Sequence, residues 1–214
     1  MKKILLIGGT GGLGSKIAKN LENRFECTSV GSKLCDVTDE IKVNNFLNSI
    51  DYDIIIYLSV KNIDGLLHKQ TNENVKQQLD VNLFGFLNIL RTATPKLREK
   101  GYGRIIYISS VLSKKPIKGT GIYSASKSFC ENIIRTHSLE NSKYGITSNA
   151  IQLGYFDAGL IENVPKEILD GVIKTIPQKR LGKCEEISNI VETIINTEYI
   201  NGTTISITGG YENI

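Results

Sequence analysis

Tyr123 is followed four residues later by Lys127 and preceded thirteen residues earlier by Ser110. A phenol is a weak proton donor at neutral pH, with an unperturbed pKa of about 10. A neighbouring ammonium favours the phenolate and lowers that value, and a bound cationic ring lowers it further. Residues four apart share one face of a helix, so Tyr123 and Lys127 can point into one cleft. Ser110 adds a hydroxyl able to hold a carbonyl oxygen beside the phenol. These residue types can protonate a carbonyl while another group delivers a hydride.

The same spacing occurs twice, because Tyr57-Leu-Ser-Val-Lys61 also reads Tyr-x-x-x-Lys. The surroundings separate the copies. Tyr57 lies in an apolar run, Asp53–Leu58, that reads as a buried strand, where side chains four apart stand too far from each other to touch. Thirteen residues before it stands Asn44, not a serine. Tyr123 opens a helical stretch to Tyr144 after the glycine-rich Gly119-Thr-Gly121. Tyr57 is therefore expected to be a sheet residue.

The elements that must position this set alternate along the chain. Strands are expected at Ile4–Ile7, Cys27–Val30, Leu34–Val37, Asp53–Leu58, Arg104–Ser109, Thr147–Gln152 and Thr204–Thr208. Helices are expected at Leu13–Asn23, Asp39–Ser49 (capped by Thr38 or Asp39), Asn72–Arg98, Tyr123–Tyr144, Pro165–Thr175 and Glu185–Asn196. Such alternation implies α/β architecture, a Rossmann-like doubly wound parallel sheet, here as a single domain over 1–214. One connection is compressed: only Gly31-Ser-Lys33 separates the second and third expected strands. A parallel crossover takes a dozen or more residues, so either the crossover helix is missing or the third strand is no full member of the sheet.

Between the first strand and first helix lies Gly8-Gly-Thr-Gly-Gly-Leu-Gly14. Glycines there permit a tight turn and let backbone approach a pyrophosphate, while the helix N-terminus supplies unpaired N–H groups. After the second strand a dinucleotide fold that prefers NAD carries an acid for the ribose diol. This chain offers Ser32 and Lys33, a hydroxyl and a cation. That favours NADP(H) over NAD(H), a solvated loop lysine being the bland reading of Lys33. Asp36 is placed to meet an adenine amino group.

With these motifs in order, nearly the whole chain resembles the single-domain short-chain dehydrogenase/reductase family, and within it the 3-oxoacyl-acyl-carrier-protein reductases. The family's Gly-x-x-x-Gly-x-Gly falls on Gly8, Gly12 and Gly14, with Thr10 and Leu13 in the same turn; its Asp-Val element falls on Asp36-Val37. Its helix asparagine matches Asn82, and its serine, tyrosine and lysine match Ser110, Tyr123 and Lys127. Asn149–Phe156 resembles the nicotinamide-contacting turn, with Gly154 and Phe156; Arg180-Leu-Gly182 and Thr208-Gly-Gly210 match the C-terminal third. Departures stand beside the matches. The family's Asn-Asn-Ala-Gly reads Tyr57-Leu-Ser-Val60 here, leaving Ser59 as the polar residue. Ile7 replaces a threonine, Leu153-Gly154 a Pro-Gly, and Ala158 a threonine that contacts pyrophosphate.

The resemblance implies hydride transfer between a nicotinamide and a carbonyl carbon, reducing a ketone to a secondary alcohol. Tyr123 would be the general acid, Lys127 would lower its pKa and hold the nicotinamide ribose, and Ser110 would orient the carbonyl oxygen. Asn82 would kink its helix and hold a water that relays protons. A 3-oxoacyl thioester is the default substrate, small or carrier-bound. The alternatives are a keto sugar or other biosynthetic ketone, and an NADP(H)-binding sensor or scaffold without turnover. The family also suggests a homodimer or homotetramer packed through Asn72–Arg98 and Tyr123–Tyr144.

Substrate identity is expected in Val111–Ile122 and in a lid at about 157–180. The first carries Lys114, Lys115 and Lys118, expected to be solvated. The second carries Glu162, Glu167 and Asp170, with Pro165, Pro177, Gly159 and Gly171 as hinge points. His68 and His137 are expected to be solvated. The 214 residues suit one domain of ordinary globular composition. A net charge of +4, with no basic run interleaved with aromatics, argues against nucleic acid. The apolar opening runs straight into glycines with no cleavage pattern, and no apolar run reaches membrane-spanning length. Cys27, Cys35, Cys130 and Cys184 lack metal-type spacing, so reduced thiols and a cytoplasmic protein are expected.

Overall fold

A computed structural model describes residues 1–159, 161 and 164–213, with side chains except that of Asn213. Six parallel strands form one sheet in the order β2-β1-β3-β4-β5-β6. They are β1 Lys3–Ile7, β2 Glu26–Val30, β3 Ile54–Tyr57, β4 Gly103–Ser110, β5 Ile146–Leu153 and β6 Thr204–Ile207. The helices are α1 Gly12–Leu21, α2 Glu40–Ser49, α3 Asn72–Leu79, α4 Gly85–Lys100, α5 Gly121–Asn141, α6 Lys166–Thr175 and α7 Cys184–Asn196.

The strands are near-continuous apolar runs because both faces of the sheet are covered. Leu5, Ile7, Ile55, Tyr57, Ile105 and Tyr107 pack on one face with Val43 and Leu47 of α2, Phe86, Ile89 and Leu97 of α4, and Cys130 and Ile134 of α5. The alternate residues Ile4, Leu6, Ile54, Ile56, Ile106 and Ile108 pack on the other with Ile17 and Leu21 of α1 and Ile187, Val191 and Ile194 of α7. That is the doubly wound architecture.

The expected strand at Leu34–Val37 is not formed. The chain turns there instead, Leu34 N and Cys35 N both donating to Gly31 O at 3.0 Å, and β2 is left as the sheet edge. Three residues cannot carry a crossover back to the sheet. The turn feeds α2, whose N-cap is Asp39, accepting from Ile41 N at 3.1 Å and Lys42 N at 3.0 Å. The expected helix Asn72–Arg98 is interrupted at Asp80–Phe84 by a π-helical bulge.

From β1 the chain winds to β2 on one side and later to β3 on the other, so the sheet's switch point lies between β1 and β3. Ligands of such sheets bind outside the carboxyl ends of the strands at that point. The turns after β1, β3, β4 and β5 all open there.

Candidate active site

The glycine turn after β1 is built for close approach. Gly8 has φ 85°, and a Cβ on it would lie 2.6 Å from Ser59 N, in the turn after β3. A Cβ on Gly14 would lie 2.7 Å from Gly8 O, so only glycine lets α1 start this near the turn. The N-cap, Gly11, makes no side-chain hydrogen bond to the helix. The first amides of α1 thus face outward with no side chain capping them, a donor set suited to a pyrophosphate. These observations fit a dinucleotide.

The adenosine side differs from what the sequence suggested. Ser32 and Lys33 are exposed just beyond β2. Asp36 sits in the Gly31–Asp39 turn rather than at a strand end, and its Oδ1 accepts from Thr38 N at 3.1 Å and Thr38 Oγ1 at 2.8 Å. Val37 is buried, its carbonyl accepting from Asn88 Nδ2 at 3.0 Å. Thr10 packs against Gly31, where a Cβ would come within 2.3 Å of its hydroxyl oxygen. Leu13 packs against the α1–α7 core. On the opposite side, Gly154 lies against Thr208, and Phe156 is buried with its ring on Gly182.

Ser110, Tyr123 and Lys127 converge. Ser110 ends β4 and caps the following turn, its Oγ accepting from Leu112 N at 3.2 Å. Its hydroxyl also lies beside the Tyr123 phenol, where it favours the ionised form. Tyr123 and Lys127 lie on the buried face of α5 with Cys130, Glu131 and Ile134, an i, i+4, i+7 stripe. Lys127 Nζ donates to Ile108 O at 2.7 Å and stands 4.7 Å from the Tyr107 ring and 5.7 Å from the Tyr123 ring.

The electrostatics run against the expectation of a phenol acidified by its lysine. Burial and the charge of Asp64 hold Tyr123 above its ordinary pKa, against the opposing influence of the Ser110 hydroxyl. Burial also pushes Lys127 down to about 8, with Cys130 and Glu131 pulling it partly back. Desolvation disfavours the charged form of either group, and here it outweighs their neighbours.

Asn82 sits inside the π-helical bulge and is buried. Its side chain pairs twice with the Lys61 backbone, accepting from N at 2.7 Å and donating to O at 2.8 Å, and reaches Ser126 Oγ at 3.2 Å. Its carbonyl, offset by the bulge, accepts from Cys130 Sγ at 3.3 Å. Tyr57, fully buried, donates to Val81 O at 2.6 Å in the same bulge, as suits a sheet residue.

Other expectations are revised. Lys114 pairs with Glu212 at 2.5 Å, and Lys115 lies over the Tyr211 ring at 4.7 Å, so neither is a freely solvated lysine; Lys118 is exposed. His68 is exposed, whereas His137 is buried between Thr94 Oγ1 at 2.8 Å and Ser148 Oγ at 2.7 Å. Burial there pushes its pKa down to about 4. Glu162 lies outside the described residues, while Glu167 is exposed and Asp170 is on α6. All four cysteines are free thiols, and no described helix is long and apolar enough to cross a membrane. Sequence reasoning missed Glu131, although it repeats the four-residue step from Tyr123 through Lys127.

A family model described as enoyl-(acyl carrier protein) reductase matches residues 10–212. The 3-oxoacyl-acyl-carrier-protein reductase MabA of Mycobacterium avium is 28% identical over 98% of this chain and 89% of its own. An acetoacetyl-CoA reductase of Rhizobium meliloti is 33% identical over 74% of this chain and 67% of its own. Among solved structures, ElxO with NADP bound shares the fold with TM-score 0.89 at 21% identity, covering 100% of this chain and 99% of that one. A gluconate 5-dehydrogenase from Burkholderia cenocepacia J2315, in complex with NADP and tartrate, does so with TM-score 0.91 at 19% identity, covering 100% and 96%. The family match spans almost the full length, over a sheet whose switch point carries the glycine turn, and the protein therefore belongs to the short-chain dehydrogenase/reductase family.

Proposed function

We propose that this chain is an NADP(H)-dependent oxidoreductase that reduces a ketone, by default a 3-oxoacyl thioester, to a secondary alcohol. The observation that carries the reading is the convergence of Ser110, Tyr123 and Lys127 beside the carboxyl end of β4. A bound dihydronicotinamide supplies the hydride. The amides at the start of α1 and the Gly8–Gly14 turn hold its pyrophosphate, and exposed Lys33 and Ser32 meet a 2′-phosphate.

Ser110 donates to the substrate carbonyl oxygen and fixes it beside the phenol. Tyr123, kept protonated by burial and Asp64, transfers its proton to that oxygen as negative charge develops there. Lys127, two of whose protons are free beyond the Ile108 bond, stabilises the resulting phenolate. Asn82, in the bulge beside α5, ties that bulge to Lys61 and Ser126.

An apolar groove supports the thioester reading. It is lined by Leu66, Leu67, Pro116, Ile117 and Ala125, flanks the first turns of α5, and has Lys118 at its edge for an anionic carrier group. Helix α6 has no fully buried residue and rests on the body of the protein through Val172, beside Ile176 and Tyr211, which suits the lid expected in this part of the chain. Exposed Phe84, Phe129 and Leu139 on the bulge and α5 support a homo-oligomer through those elements, which light scattering tests.

NADPH oxidation against 3-oxoacyl thioesters, keto sugars and simple ketones tests the reading. Preference for the thioesters supports it, and preference for a keto sugar replaces the default substrate. Tight NADPH binding without turnover on any carbonyl overturns the enzyme assignment in favour of a sensor or scaffold.

A further inference from the structure

Ser110 is bracketed by two serines that reach one buried carboxylate. Ser109 Oγ donates to Glu131 Oε1 at 2.5 Å, and Ser113 Oγ donates to the same oxygen at 2.6 Å. Glu131 is 3% exposed, on the α5 face that carries Tyr123 and Lys127. The site is tied further: Gln152 Nε2 donates to Ser113 Oγ at 2.8 Å, Ser206 Oγ donates to Gln152 Oε1 at 2.7 Å, and Ser128 Oγ donates to Ser113 O at 2.5 Å. A buried carboxylate is retained only where it is paired and hydrogen-bonded, and hydroxyl bonds to an ionised acceptor are strong.

We propose that Glu131 is a positioning residue of this site, clamping Ser109 and Ser113 so that the turn between them presents Ser110 to the phenol, while its charge supports the Lys127 ammonium one helical turn away. The inference rests on the reading of Ser110, Tyr123 and Lys127 as the reacting set. Ser110 Oγ accepts from Leu112 N, so its direction is set by the Val111–Ser113 turn, and Glu131 holds Ser113 at the end of that turn and Ser109 on the strand just before Ser110. The titratable groups facing Lys127 are Tyr107 from β4 and Tyr123, Cys130 and Glu131 from α5. Of these, Glu131 is a carboxylate set against the ammonium.

The two roles separate by mutation. Both serine bonds fall on Oε1, so Glu131→Gln keeps an acceptor for them and removes the charge. The double variant Ser109→Ala/Ser113→Ala removes the clamp, and with it the hydroxyls that keep the buried carboxylate ionised. Removing a negative charge favours loss of a proton from Lys127 and from Tyr123 alike. Glu131→Gln should therefore move the alkaline limb of kcat/KM to lower pH and lower the Lys127 titration midpoint read by NMR on labelled lysine. The serine double variant should lose about tenfold or more in kcat beyond any loss in Glu131→Gln, with its NADPH Kd unchanged. A Lys127 midpoint unmoved in Glu131→Gln, or wild-type kcat in the serine double variant, overturns the proposal. Wild-type protein without turnover overturns the proposed function instead, and the lysine titration, which needs no substrate, still judges Glu131.

Discussion

Two copies of Tyr-x-x-x-Lys occupy this chain, and folding gives them opposite work. Tyr57 belongs to β3, and its hydroxyl is consumed by the Val81 carbonyl at 2.6 Å. Lys61 serves through its backbone, which pairs with the Asn82 side chain, and its own side chain is exposed. Tyr123 and Lys127 share a helical face at the end of β4, and the Tyr123 phenol meets a serine hydroxyl. A four-residue step is one turn of helix but more than a dozen ångströms of strand. The first pair also supports the second. It satisfies polar groups of the Asp80–Phe84 bulge, which touches α5 through Ser126 and Cys130. Tyr57 further stacks on Tyr107 at 6.0 Å, and Lys127 Nζ lies over that same Tyr107 ring, 4.7 Å from its centroid.

The contrast can be broken most sharply at Tyr123. Tyr123→Phe is expected to lower kcat on the order of 10²–10⁴-fold while leaving NADPH binding intact, as read by steady-state kinetics and cofactor fluorescence. Retained turnover would remove Tyr123 from the mechanism.

Lys127→Met should likewise abolish turnover but stabilise the fold at neutral pH, by roughly 1–3 kcal/mol in denaturant melts, because it replaces a buried charge. The folded-state pKa of Lys127 is depressed from 10.5 to about 8. Between those values the unfolded chain binds the additional proton, so wild-type stability rises with pH through that window. The methionine variant should lack that rise, and melts at pH 7 and 10 check it.

Tyr57→Phe should do the reverse of Tyr123→Phe. It leaves a buried carbonyl at Val81 without its donor, at a cost of about 1–3 kcal/mol, with kcat close to wild type in protein that is folded. A kcat loss as large as that of Tyr123→Phe would erase the distinction between the copies. The smallest effect is expected at Lys61→Ala, within about 0.5 kcal/mol of wild type in stability, since its backbone bonds survive the change.

The candidate site was legible in sequence where its geometry is local. The step from Tyr123 to Lys127 needs only a helix, and the glycine turn needs only the strand and helix that flank it. The adenosine side was less legible: the apolar pattern suggested a third strand at Leu34–Val37, but the short link after β2 leaves Asp36 in a turn bonded to Thr38. His137 gave no sign of its burial because its partners, Thr94 and Ser148, lie on other elements.

By itself the sequence determined the alternation of strands and helices, the glycine turn, and which residue types could carry proton transfer. These follow from hydrophobic periodicity and local backbone sterics, which act over a few residues. Tertiary structure alone decided the rest. Parallel register sets Ser109 beside Gln152, and packing of α5 on β4 brings Glu131 onto Ser109 and Ser113. Burial then raises the Tyr123 pKa that its neighbouring lysine was expected to lower. Desolvation depends on everything packed around a group, and no short stretch of sequence contains that.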